Sequence, residues 1–313
     1  MKRVRMIAAA LAAASLCMGC SDGTNDDGIP GAPSVSLPES VGENPFKGRT
    51  FWEGGYRKYV FSEDGRTVTD YKYDADKWDA VYQYKCSVDV DKEELSWALE
   101  KMDCWGKLCS YDEIMRLYTD KVSFLAAAKA YYEEQLENDR IDKDEYRERL
   151  EGVQEYLNDY WDTEGKFDQY FVRLQFSLMQ LFKYTYNEEA GTLDLEQQFE
   201  RSASGFYFYD DDRTSIVRSA HICLSGFGWI RLVTDVADST FFAEKFSASS
   251  SGEITFVNIE NESDTFIATY ELIDDGNDSQ LNLLSTYKDK VFDVSIAFEP
   301  NELHLTEKME GAE

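Results

Sequence analysis

Six cysteines and two histidines are the side chains of this 313-residue chain best suited to bind a soft metal or to serve nucleophilic chemistry. A zinc site needs three or four such ligands converging on one point. His221 stands in a β-like stretch with Ser219 and Cys223 on its own face, and residues two apart on a strand are about 7 Å apart, a poor dyad geometry. It reads as a satisfied strand histidine, and His304 near the C-terminus reads the same way. Asp210-Asp211-Asp212 and Asp274-Asp275-Gly276-Asn277-Asp278 are acidic enough for calcium, yet lack the alternating Asp positions and closing Glu of an EF-hand loop. Solvated turns account for them. There is no Gly-x-Ser-x-Gly elbow and no phosphate-binding loop, and Gly226-Phe227-Gly228 lacks the third glycine of a dinucleotide turn. With 61 acidic residues, no carboxylate pair can be singled out for glycoside hydrolysis. The expectation is a protein without metal, cofactor or catalytic set, and not an enzyme.

The aromatic residues are a better lead. Trp52, Tyr56, Tyr59 and Phe61, and later Phe206 and Phe208, fall in β-like segments where a barrel would turn half of them inward. Core packing is the simpler reading of aromatics in strands. The functional reading is a pocket for a small apolar or glycan ligand, if the barrel is wide enough to leave one.

The segments that would position these residues begin with an export signal. Met1-Lys-Arg-Val-Arg5 precedes an apolar run from Met6 to Leu16, then Cys17-Met18-Gly19-Cys20 and a polar Ser21-Asp22-Gly23. The run is too short to span a bilayer, which takes roughly 20 apolar residues. Gly19 before Cys20 at the end of such a signal resembles bacterial lipoproteins, although Cys17 stands where that motif usually has leucine. The resemblance implies cleavage after residue 19 and a lipid on Cys20, holding the chain at a membrane of the cell envelope. Residues 20–43 contain Pro30, Pro33 and Pro38 and almost no large apolar side chain, which predicts a disordered tether reaching about 25 Å. Export brings oxidising conditions. Cys104 and Cys109 then form the expected local disulfide across Gly106, with Cys86 and Cys223 paired or separately buried.

From Phe46 the pattern is short β segments: Thr50–Trp52, Tyr56–Phe61, the turn Asp64-Gly65, Thr67–Tyr73, Ala80–Val88 and Leu95–Leu99. Asn44-Pro-Phe-Lys-Gly-Arg-Thr50 followed by Tyr59-Val-Phe-Ser-Glu-Asp-Gly65 resembles the opening strands of lipocalin-like domains in bacterial lipoproteins. Ser110-Tyr-Asp-Glu113 is a capping box opening a helix expected over Tyr111 to about Glu137. Asp142-Lys-Asp-Glu145 opens a second through Trp161, and a third is favoured from Lys166 to about Met179. Lys85-Cys-Ser-Val-Asp with Leu95-Ser-Trp then aligns without a gap on Lys183-Tyr-Thr-Tyr-Asn with Leu193-Asp-Leu, so the helices read as an insertion between two similar hairpins. Strand-like segments separated by turn clusters follow, from Gly205 to Leu305. The fold class expected is mainly β, a lipocalin-like barrel or sandwich meander with a helical insertion at about 110–180, α+β overall. The β-rich part is expected over 44–308.

Function follows by exclusion. A formal charge of −29 repels nucleic acid. The expectation is a lipid-anchored exported binding protein whose partner is a small apolar or glycan ligand, or a basic protein drawn to the acidic surface. The alternative is a structural or host-facing surface lipoprotein.

Overall fold

The computed structural model describes residues 32–307 apart from 34, 75, 76, 178, 199–201, 207–215, 224–226, 235–237, 245–249, 275–278 and 298–301. Cys20 and the signal lie outside the described residues, as do the acidic turns at 210–212 and 275–278. The chain divides into two compact units.

The first unit is a closed barrel. Strands β1 (Thr50–Glu53), β2 (Arg57–Phe61), β3 (Thr67–Asp74), β4 (Lys77–Asp89) and β5 (Glu94–Cys104) run up and down as a meander, and the short β6 (Lys107–Cys109) lies beside the end of β5. Past the helices, β5 pairs with β7 (Met179–Asn187), β7 with β8 (Thr192–Gln198), and β8 with the last strand, β17 (Glu302–Thr306). Because β17 also pairs with β1, the ring closes and each of its eight strands has a neighbour on both sides, while β6 pairs with β5 alone. The two similar hairpins are β4–β5 and β7–β8, side by side in this ring. Their matching inward residues Cys86, Val88, Leu95 and Trp97, and Tyr184, Tyr186, Leu193 and Leu195, all pack into one core.

One end of the barrel is plugged. Phe46 is fully buried, its ring 5.1–6.0 Å from those of Phe51, Phe61, Tyr184 and Tyr186. Asn44 fixes that segment by donating its side-chain amide to Gly65 O (2.7 Å) and accepting Phe46 N–H (2.8 Å). Deeper in, Trp97 stacks on Tyr59 and Tyr84 and meets Phe182 at 4.9 Å. Offset stacks and edge-on contacts of this kind fill the interior from the plug to its middle.

The helical insertion contains α1 (Tyr111–Thr119), α2 (Lys121–Glu137), α3 (Lys143–Glu155) and α4 (Trp161–Ser177). None of the described helices is long and apolar enough to cross a membrane. Where periodicity predicts one helix from Tyr111 to Glu137, the structure has two. Asp120 takes an extended conformation and its side chain accepts Val122 N–H and the Ser123 hydroxyl, so it caps a new helix instead of continuing the old one. Conversely, α3 and α4 run on through a π-helical turn at Tyr156–Tyr160. The capping box at Ser110 and Glu113 is formed.

The expected Cys104–Cys109 disulfide is corrected: both are free thiols, as is Cys86. In the β5–β6 hairpin, Cys104 pairs with Lys107 and Cys109 with Met102, which makes the cysteines diagonal neighbours on one face. Diagonal positions lie about 7–8 Å apart, at the limit of disulfide reach. The Cys223 side chain lies outside the described residues.

The second unit is inserted between β8 and β17, strands that pair directly with each other (Glu196↔Glu302). It is an eight-stranded antiparallel meander in chain order: β9 (Ser202–Phe206), β10 (Val217–Cys223), β11 (Phe227–Val233), β12 (Asp238–Glu244), β13 (Ser251–Asn258), β14 (Thr265–Asp274), β15 (Ser279–Tyr287) and β16 (Lys290–Ala297). The sheet curls until β16 lies beside β9, so it is nearly closed around a core that includes Ile222, Ile230, Phe241, Ile254, Phe256, Leu283 and Ile296.

Candidate polar site at the open end of the first barrel

At the end opposite the plug, the barrel interior changes from rings to charge. The β1–β2 hairpin turns through Gly54, Gly55 and Tyr56, with Gly54 in the left-handed region (φ +57°) that glycine adopts at little cost. Strand alternation turns Arg57, Tyr59 and Phe61 to one face, and Tyr59 pairs across to Asp70 on β3. Arg57 therefore reaches Asp70 diagonally inside the barrel. The guanidinium grips the carboxylate with two bonds, Nε to Oδ1 at 2.9 Å and Nη2 to Oδ2 at 2.5 Å. The ring of Tyr59 lies 5.2 Å from the guanidinium carbon.

A second carboxylate stands beside this pair. Glu53 Oε2 is 3.8 Å from Arg57 Nη1, beyond hydrogen-bond length, and the hydroxyls of Tyr56 and Tyr59 each donate to one Glu53 oxygen at 3.3 Å. Asp70 is shut off from solvent, whereas the side chains of Arg57 and Glu53 keep 17% and 24% of their exposure. Water thus reaches part of the Arg57 and Glu53 side chains and does not reach Asp70. Burial is the largest single influence on Arg57 and works against its charge, but the hydrogen bonds to Asp70 and the attraction of Tyr59, Asp70 and Tyr84 together outweigh it and raise its pKa. Burial pushes the Asp70 carboxyl up, opposed by the same two bonds. Burial next to Asp70 also raises the phenols of Tyr59, Tyr82 and Tyr84, which stay neutral donors.

Another perturbed carboxyl lies in the helical insertion. Tyr156, in the π-helical turn, donates to Asp168 Oδ2 at 2.8 Å. Burial pushes Asp168 up to about 7, opposed by the Tyr156 hydrogen bond and helped by repulsion from Glu164, and among the described residues no ion pair is formed with it. Tyr118 and Cys104 face it, and burial raises both. Among the described residues, no three His, Cys, Asp or Glu side chains are grouped to hold a metal.

The expected lining residues separate. Tyr59 and Phe61 point inward but are packed into the core. Trp52 alternates with the fully buried Phe51 and so takes the outer face, which removes it from any interior lining. Tyr56 sits in the hairpin turn, 55% exposed, with its hydroxyl on Glu53. Phe208 and the Phe206 side chain lie outside the described residues. The sequence reading missed Glu53, Arg57 and Asp70. A signal was present, because Arg57-x-Tyr59-x-Phe61 and Val68-x-Asp70 each put a charge on the apolar face of an alternating strand, which is costly unless paired. Of the histidines, His221 is buried in β10, with burial pushing it down to about 4, and His304 pairs with Asp194 across β17 and β8.

The chain matches no protein-family model, no curated protein and no solved structure.

Proposed function

We propose that this is an exported binding protein of the cell envelope, held at a membrane through a lipid on Cys20. It takes a polar ligand at the open end of its lipocalin-like first barrel and binds it without turnover. The observation that carries this reading is the partial exposure of Arg57 and Glu53 within the barrel beside the fully buried Asp70. A polar constellation in an otherwise apolar interior, still reached by water, is the arrangement of a small-ligand site. The half beyond it is filled by packed side chains, Phe46, Trp97 and Phe182 among them, which favours a ligand at the polar end over one lying along the barrel. The charge of −29 favours neutral or basic partners over nucleic acid.

A second reading, a structural or host-facing surface lipoprotein, is favoured by Ile267, Leu284 and Val291, which are exposed on three neighbouring strands, β14 to β16. Native mass spectrometry of the mature chain purified from its own cell separates the two. A retained small molecule lost in Glu53→Ala supports the binding reading, and an empty wild type favours the surface one. Fatty-acid labelling tests the anchor, and label persisting in Cys20→Ala refutes it.

A further inference from the structure

We infer that the open end of the first barrel recognises two adjacent hydroxyls of a neutral carbohydrate, with Arg57 and Glu53 as the two hydrogen-bonding arms. This rests on the reading that this end binds a ligand. A guanidinium carries five N–H donors in a rigid fork, and Asp70 occupies the Nε and Nη2 edge. Nη1 is left beside Glu53 Oε2 at 3.8 Å, so the two groups are neighbours that do not satisfy each other. Each Glu53 oxygen accepts one long tyrosine bond of 3.3 Å and keeps acceptor capacity. The site therefore offers one charged donor and one charged acceptor side by side, both reached by water. Adjacent ring hydroxyls meet that pair directly, one accepting from Nη1 and its neighbour donating to Glu53.

The other ligand classes fit less well. An anion would meet the carboxylates of Glu53 and Asp70, and an organic cation would be set against the guanidinium. An apolar molecule would bury Nη1 and Glu53 without partners, which costs more than its own burial returns. Tyr56 adds a platform, because the residue is 55% exposed at the lip of the site while its hydroxyl anchors Glu53. An aromatic face with a polar tip suits the mixed apolar and hydroxylated surface of a sugar ring.

The test is an array of neutral oligosaccharides probed with the whole mature chain, followed by calorimetry on a retained glycan and its deoxy analogues. The wild type should retain at least one glycan, and removing either of two adjacent hydroxyls should weaken binding by about tenfold or more. Glu53→Gln and Tyr56→Ala should each weaken it by a similar factor while the melting temperature stays near wild type, which separates loss of recognition from loss of fold. A glycan bound equally by both variants overturns the proposal. So does an array without any retained glycan when native mass spectrometry recovers a charged or apolar molecule lost in Glu53→Ala, a result that leaves the binding reading standing. Recovery of no molecule of any class removes both.

Discussion

The two barrels are the same size in strands and differ in what their interiors hold. Among the described residues, the second encloses aliphatic and aromatic side chains, including Tyr270 and Tyr287, and the Tyr287 hydroxyl reaches the half-buried Asp264 at the rim. The buried polar groups of its unit among those residues, Ser219, His221, Asn258 and Ser285, are uncharged at neutral pH. The first encloses a bidentate ion pair with a second carboxylate beside it. Removing two charges from water costs several kcal/mol each, and such a pair often contributes no more stability than apolar residues of similar volume. The second unit shows that this kind of meander curls nearly closed around a core that carries no charge among the described residues. Stability of the fold alone therefore does not account for Arg57 and Asp70, and ligand binding as proposed gives a reason for them.

The comparison is broken most severely by removing half of the pair. Asp70→Ala leaves the largely buried guanidinium without its bidentate partner and with only the longer contact to Glu53, and should cost up to about 3–5 kcal/mol, read as lost hydrogen-exchange protection in β2 and β3. Phe256→Ala in the second barrel should cost about the same through a cavity, read in β13 and β14. The two losses differ in their remedy: adding Arg57→Met rescues the first, because its cause is an unpaired charge, and nothing so simple refills the second.

A smaller effect sharpens the view of the helical insertion, where Asp168 is buried without an ion pair among the described residues. Its folded pKa of about 7 lies above the usual carboxyl value of about 3.9, so the folded state holds the proton more tightly. Stability contributed by this group is present below about pH 4 and is lost as pH rises to about 7. Asp168→Asn should match wild type near pH 4 and gain up to about 2 kcal/mol at pH 8, discounted for the exposure the side chain keeps. Equal melting shifts at both pH values would contradict that sign. Smaller still, Asp120→Ala should cost about 1 kcal/mol by uncapping α2, with the exchange of both barrels unchanged.

Sequence and structure agree at the level of pattern and part company at the level of pairing. Alternation with turn clusters gives the β class, the strands of the second unit and the placement of helices between two matching hairpins, because periodicity reports which face is buried. Ring closure was not legible, since β1 meets β17 across almost the whole chain. Asp120 could have been read as a cap, yet the apolar spacing ran through it and was the louder signal. The cysteines misled for a physical reason: a separation of five suggests a bridge, and only the register of β5 against β6 makes them diagonal. The polar site was hidden because 61 acidic residues mask the two, Glu53 and Asp70, that turn into the barrel.

The central claim is that the Arg57–Asp70 pair serves binding and that the stability of the fold does not depend on it. The most direct measurement is urea unfolding of Arg57→Met/Asp70→Leu in the whole mature chain, with native mass spectrometry of the same protein from its own cell. The account predicts stability equal to or above wild type together with loss of the retained molecule. A double variant that unfolds several kcal/mol more easily, or one that keeps the molecule, would contradict it.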